Sequence, residues 1–305
     1  MPRCCHIQLA HVEPATAPAA RGDAPTVQGM SLVIAPPADA PTHHAVARLR
    51  SVRLAASAKP FVARGSGGGR CAGCRLIASH CVCALRPQVA TNAGMCLVMG
   101  DIEALKPSNT GWLVADVVRD TWAFGWSRTA VDPGLLALLA DPQWQPYLVF
   151  PGEFVPPARV VTTLPPREAA GKQPLFVLLD GTWSEARKMF RKSPYLDALP
   201  VLSLHPDQVS NYRLRRSARE SHFCTSEVAA LCLAMAGESH AAHSLAAWLD
   251  VFTEHYLSAK RSVVLNRDSE AHQCLRALDG PGLEAPAQHS GVAWEASKTT
   301  PGTEA

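Results

Sequence analysis

Residues 174–196 read PLFVLLDGTWSEARKMFRKSPYL. Residues 175–179 are short, continuous and apolar, the pattern of a strand buried on both faces. Residues 184–192 are rich in helix formers and cationic towards their end, as a helix C-terminus favours. Asp180-Gly181-Thr182-Trp183 therefore falls between a strand's C-terminal end and a helix start, where open α/β sheets place their ligands. Asp180 or Thr182 can equally do no more than cap the helix. The junction alone leaves both readings open.

Outward from this unit, apolar runs at 95–99, 122–127, 147–150 and 201–204 predict further short strands. Helical patterns fall at 112–120, 133–140, 225–236 and 244–260. Ser108 and Asn109 suit the start of the first, and Thr225 with Glu227 suits the third. Leu245, Trp248, Leu249, Phe252 and Tyr256 share one face of the last and read as core. Strands alternating with helices predict an α/β domain with a largely parallel sheet and helices on both faces.

The ends differ in composition. Of 305 residues, 47% are apolar, enough for a sizeable core, but the 25 prolines thicken at the two termini. Residues 1–69 are Ala/Pro/Arg-rich and end in a Gly-rich linker, so they read as a disordered extension with one transient basic helix at 45–56. Residues 263–305 read as a mostly disordered tail. Between them lie a four-cysteine module at 70–92 and the main domain at 93–262. Net charge is only +3, yet residues 185–219 hold eight basic against three acidic residues, a local basic field behind the central motif. With no 18-residue apolar run and no secretory h-region, the expectation is a cytoplasmic protein without a membrane span.

Cys71, Cys74, Cys81 and Cys83 form a C-x2-C-x6-C-x-C cluster. Four thiolates at this spacing can converge on one tetrahedral Zn2+ with no open position, which is a structural site. A redox dithiol would need a thioredoxin-like strand–helix setting that the Gly/Arg-rich surroundings lack. His80 falls beside the cluster rather than in it.

In order along the chain stand the four cysteines, Ser108-Asn109-Thr110, Phe150-Pro151-Gly152, Asp180-Gly181-Thr182-Trp183, Tyr212-Arg213 and Thr225-Ser226-Glu227. This series, over roughly residues 70–260, resembles the DTW-domain family of tRNA-uridine aminocarboxypropyltransferases. The family's usual His-Pro-x-Glu is here Gly100-Asp101-Ile102-Glu103, so only Glu103 carries over. The resemblance implies a fold similar to the knotted SPOUT methyltransferases. It also implies transfer of the 3-amino-3-carboxypropyl group of S-adenosylmethionine to N3 of a tRNA uridine, with 5′-methylthioadenosine released.

On that resemblance, Asp180, Thr182 and Trp183 are the expected catalytic residues. Pro151, Gly152, Leu179, Gly181, Leu202, Thr225 and Glu227 are expected at S-adenosylmethionine. Asn109, Tyr212, Arg213, Arg215, Arg216, Arg187 and Lys188 are expected at the RNA. Asp180 is the candidate base for the N3 proton, with Glu103 or Glu227 as alternatives or as partners of the donor's ammonium group. Trp183 can stack on a base or sit in the core. The rival readings are a SPOUT-like RNA methyltransferase and a non-catalytic zinc-containing RNA-binding protein. Oligomeric state stays open.

Overall fold

The computed structural model describes residues 44–58, 61, 69–165, 171–204 and 223–278. Six strands among them form one all-parallel sheet: β1 (Gly94–Met99), β2 (Thr121–Gly125), β3 (Trp144–Val149), β4 (Val160–Val161), β5 (Gln173–Asp180) and β6 (Val201–Leu202). Their order across the sheet is β2-β1-β5-β3-β6-β4. The central strand thus arrives fifth and enters between β1 and β3, with Met99 opposite Asp180 and Leu148 opposite Val177. β6 likewise enters between β3 and β4. The segment from β6 to the next helix lies outside the described residues, so no knot is traced here.

Side chains alternate across the sheet with the period of two that a pleated strand imposes. Met95, Leu97, Met99, Phe176 and Leu178 face one core. Cys96, Val98, Leu175 and Val177 face the other. Burial on both faces explains why β1 and β5 read as continuous apolar runs rather than alternating ones. The first core is closed by α2 (Gly111–Val117), α5 (Thr225–Met235) and α6 (Ser239–Arg261), the second by α3 (Pro133–Ala140) and α4 (Trp183–Arg191). Trp112, Trp248 and Phe252 fill the first, each nearly inaccessible.

Two segments expected in disordered tails are ordered. Residues 45–55, read as a transient helix, form α1 (Ala45–Ala55), packed on β2 and α2. The local pattern could not show this, because the anchors are distant in sequence. Arg50 Nη1 donates to Leu105 O (2.9 Å), Arg53 pairs with Asp101, and buried His44 reaches Asp116 (3.3 Å). Asp116 also forms an ion pair with Arg86 (2.8 Å) and accepts from Trp248 Nε1 (3.1 Å), so the buried carboxylate meets partners from three parts of the chain. At the other end, α7 (Glu270–Leu278) packs on α6 through His272, Cys274 and Leu275, within the expected tail. Among the described residues no helix is long and apolar enough to cross a membrane.

Candidate active site

Parallel strands bring all their C-terminal ends to one edge, and Asp180 ends the central one. Its carboxylate is buried, at 3% exposure. Asn109 Nδ2 donates to Oδ2 (2.7 Å) and Thr225 Oγ1 donates to Oδ1 (2.6 Å). These donors come from the turn before α2 and from the first residue of α5, so the carboxylate ties three elements together. Asn109 is itself fixed, because its Oδ1 accepts from Trp112 N (2.9 Å). Gly100 N donates to Asp180 O (2.8 Å), which holds the end of β1 beside that of β5.

A second carboxylate pair flanks this centre. Glu103 is buried and ion-paired with Lys106. Burial pushes its carboxyl up, the charge of Asp180 adds to the rise, and Lys106 opposes it. Burial also pushes Glu185 up, but bonds from the Thr182 hydroxyl and amide outweigh it and leave Glu185 below the usual carboxylate range. Thr182 makes those bonds as the N-cap of α4, in a reciprocal capping box. The cap and the chemistry proposed for this motif thus divide between Thr182 and Asp180.

The structure brings the expected donor-site residues to this same edge. Pro151 and Gly152 follow β3, Leu179 and Gly181 flank Asp180, and Leu202 ends β6. Gly152 N donates to Ser203 Oγ just past β6 (3.0 Å). Thr225 is not the cap of α5 but its first helical residue; Cys224 takes the cap position and its amide donates to Glu227 Oε2 (2.7 Å). This frees the Thr225 hydroxyl for Asp180. Trp183 is half-buried and stacks on Phe150 at 5.4 Å, with Phe154 edge-on at 5.9 Å. It belongs to an aromatic cluster beside the edge.

Of the residues expected at RNA, Arg187 and Lys188 are exposed on α4. Arg187 lies over the Phe154 ring (5.3 Å) and Lys188 over Trp126 (5.5 Å). Asn109 is not on such a surface: it is 3% exposed and bonded to Asp180, a placement that local polarity does not signal. Tyr212, Arg213, Arg215 and Arg216 lie outside the described residues. Two further residues at the centre carry no signal in spacing alone. Gly111 must lack a side chain, because a Cβ would fall 2.5 Å from Asp180 Oδ2. Arg75, directly after Cys74, is buried beneath the same turn.

Cys71, Cys74, Cys81 and Cys83 place their sulfurs within 4.8 Å of one another. Three of the separations are 3.5, 3.6 and 3.7 Å. Tetrahedral zinc–thiolate bonds of about 2.3 Å imply sulfurs about 3.8 Å apart, so this knuckle could bind a zinc ion. Gly73 lets the chain pass the sulfurs, since a Cβ would lie 2.8 Å from Cys83 Sγ. The bond between Cys74 and Cys83 lowers the Cys74 thiol and raises the Cys83 thiol in return. The knuckle docks through Trp112 Nε1 to Gly73 O (3.1 Å) and through the His80 carbonyl, which meets His255 Nδ1 (2.9 Å).

An all-parallel sheet with a buried carboxylate fixed at its C-terminal edge, and a four-thiol knuckle packed beside it, defines an α/β protein whose fixed carboxylate sits at the strand ends, where open α/β sheets place their ligands. A protein-family model of the DTW domain matches residues 68–257. The match spans more than half of the chain, and the chain belongs to the DTW-domain family, which is linked to tRNA-modifying enzymes. No solved structure matches it.

Proposed function

We propose that this protein is a cytoplasmic transferase that moves the 3-amino-3-carboxypropyl group of S-adenosylmethionine to N3 of a tRNA uridine. The observation that carries the reading is Asp180, a buried carboxylate fixed by Asn109 and Thr225 at the C-terminal end of the central strand. Family membership supports a tRNA-modifying enzyme. The late entry of β5 and β6 between earlier strands supports a SPOUT-like, knotted arrangement.

In the proposed step the N3–carbon bond forms as the carbon–sulfonium bond breaks. Sulfur leaves as a neutral thioether, 5′-methylthioadenosine, and needs no acid. Uridine N3 carries a proton and is a poor nucleophile until that proton is taken, and Asp180 takes it as the bond forms. Asn109 and Thr225 hold the carboxylate in one orientation, so its reorganisation cost is met in the fold rather than in the reaction. Glu103, raised by burial and by Asp180, faces the donor's ammonium group, and Lys106 its carboxylate. Pro151, Gly152, Leu179, Gly181 and Leu202 line the donor's side of the edge, with Thr225 and Glu227 opposite. Arg187 and Lys188 meet tRNA phosphates together with Tyr212, Arg213, Arg215 and Arg216. The four cysteines hold a structural zinc, which organises the knuckle and takes no part in the transfer.

Nucleoside mass spectrometry of tRNA incubated with protein and donor tests this directly. The expected product is a uridine heavier by the carboxypropyl group, formed with methylthioadenosine. A methyl mass increment, or no donor binding in calorimetry, refutes it. Asp180→Asn should lower kcat by about 10²–10⁴-fold, the span of a lost general base; near-normal turnover in a folded variant removes Asp180 from that role.

A further inference from the structure

We propose that Arg75 is a positioning residue that fixes the turn carrying Asn109, and through it the Asp180 carboxylate. It directly follows Cys74 within the four-cysteine knuckle, and its side chain reaches the 106–109 turn. Its Nη1 donates to Lys106 O (3.0 Å) and to Asn109 O (3.2 Å). The guanidinium carbon lies over the Trp112 ring at 4.2 Å from its centre, and 5.6 Å from that of Phe252. Asn109 in turn donates to Asp180, and Trp112 N donates to Asn109. One buried side chain therefore touches both ends of the 106–109 turn and the first turn of α2.

The backbone at Arg75 strengthens the inference. Its φ is +65°, in the left-handed region that glycine occupies without strain and other residues do not. Glycine would relax this corner, so an arginine there is retained for what its side chain does. That side chain is 3% exposed, which removes solubility and RNA contact as reasons. A different arginine, Arg86, donates to the knuckle, Nη2 to Cys83 Sγ at 3.8 Å. One nitrogen donates to two carbonyls while the broad, delocalised cation lies over the indole, and lysine's compact ammonium does not reproduce that contact. Trp112 Nε1 returns a bond to Gly73 O, so knuckle and turn grip each other from both sides.

The kinetic part of the test rests on the proposed transfer; the exchange part does not. Arg75→Lys and Arg75→Gly are compared with the full-length wild type. The turn loosens in both, so hydrogen exchange at the Trp112 amide should speed at least about tenfold while the Leu148 amide in β3 stays unchanged. Zinc content stays at one per chain. With carboxypropyl transfer to tRNA as the assay, kcat falls about tenfold or more and KM for donor and tRNA stays within twofold. Unchanged Trp112 exchange together with unchanged kcat overturns the proposal. So does loss of zinc in parallel with activity, since the arginine would then serve the knuckle. Should the lysine variant fail to fold, the glycine variant, with its backbone relaxed, decides by the same readouts. If the wild type transfers nothing, the transferase reading fails and Trp112 exchange alone decides the role of Arg75.

Discussion

Gly111 lies so close against Asp180 that a single added carbon at its Cβ position would meet Oδ2 at 2.5 Å and Cγ at 3.3 Å. Both residues are buried, so neither can move aside into solvent. On an exposed helix, glycine to alanine is stabilising by about 1 kcal/mol. Here the sign reverses. Gly111→Ala should cost about 1–3 kcal/mol of stability, read by urea unfolding. Its effect on transfer should be larger, about 100-fold in kcat, because a shift of about 1 Å in the carboxylate is enough. A variant with wild-type kcat would show that the position of Asp180 is not critical.

The knuckle should bind one zinc per chain. Cobalt(II) in its place should give the intense sulfur-to-metal charge-transfer bands of a four-thiolate tetrahedral site. Cys74→Ser should abolish those bands. Because the knuckle carries the contacts to Trp112 and His255, its loss should also lower Tm by about 5–10 °C, equivalent to a few kcal/mol in a domain of this size. A Tm unchanged on removing the metal would mean that these contacts form without it.

His255 and His272 form a buried pair, Nε2 to Nε2 at 2.9 Å. The His80 carbonyl can only accept, so His255 Nδ1 carries the proton and its Nε2 accepts from His272. The His255 value is lowered from 6.5 to about 4, chiefly by burial; the bond to the His80 carbonyl opposes the fall, and His272 and Arg267 add to it. Burial also lowers His272, with Glu254 opposing it. The folded state therefore binds fewer protons than the unfolded one. The stabilisation is complete above pH 6.5 and is lost as pH falls towards 4. His255→Asn, which keeps a donor for His80, should remove about 1–3 kcal/mol of that acid sensitivity in urea unfolding between pH 7.5 and 5.

Arg187 and Lys188 are exposed on α4, and among the described ion pairs neither meets a carboxylate, although the charge of Lys188 is felt at Glu185. If both meet phosphates, the double alanine variant should weaken tRNA binding similarly for different tRNAs. The salt slope of log K should fall by about 2, one for each contact. Donor affinity should not change. An unaltered slope would exclude α4 from the RNA path.

The chain wrote some of this openly and hid the rest. β1 and β5 were legible because burial on both faces leaves an unbroken apolar run, and α3 because Asp132 and Pro133 mark its start. The knuckle was legible from spacing. The Asp180 centre was not, because its partners Asn109 and Thr225 lie 71 and 45 residues away. Asn109 looks like a surface residue and Thr225 like a cap until the fold brings them to one carboxylate. α1 was hidden for the same reason. Its own pattern is weak, and only distant partners, Leu105, Asp101 and Asp116, hold it in place.

The place of β5 in the sheet also sets a timetable for synthesis. Before Gln173 is made, β1 has only β2 to pair with, and β3 lacks both of its lateral partners, β5 and β6. A nascent chain at that stage carries open apolar edges, the state most exposed to aggregation and proteases. β1 and β3 can be joined only after Asp180 has emerged, so the strand that bears the candidate base also links the two halves of the sheet. Chains stalled just before and just after residues 173–202 should differ sharply in protease resistance. The edge that carries Asp180 therefore forms only with the central sheet, and its Thr225 partner arrives later still.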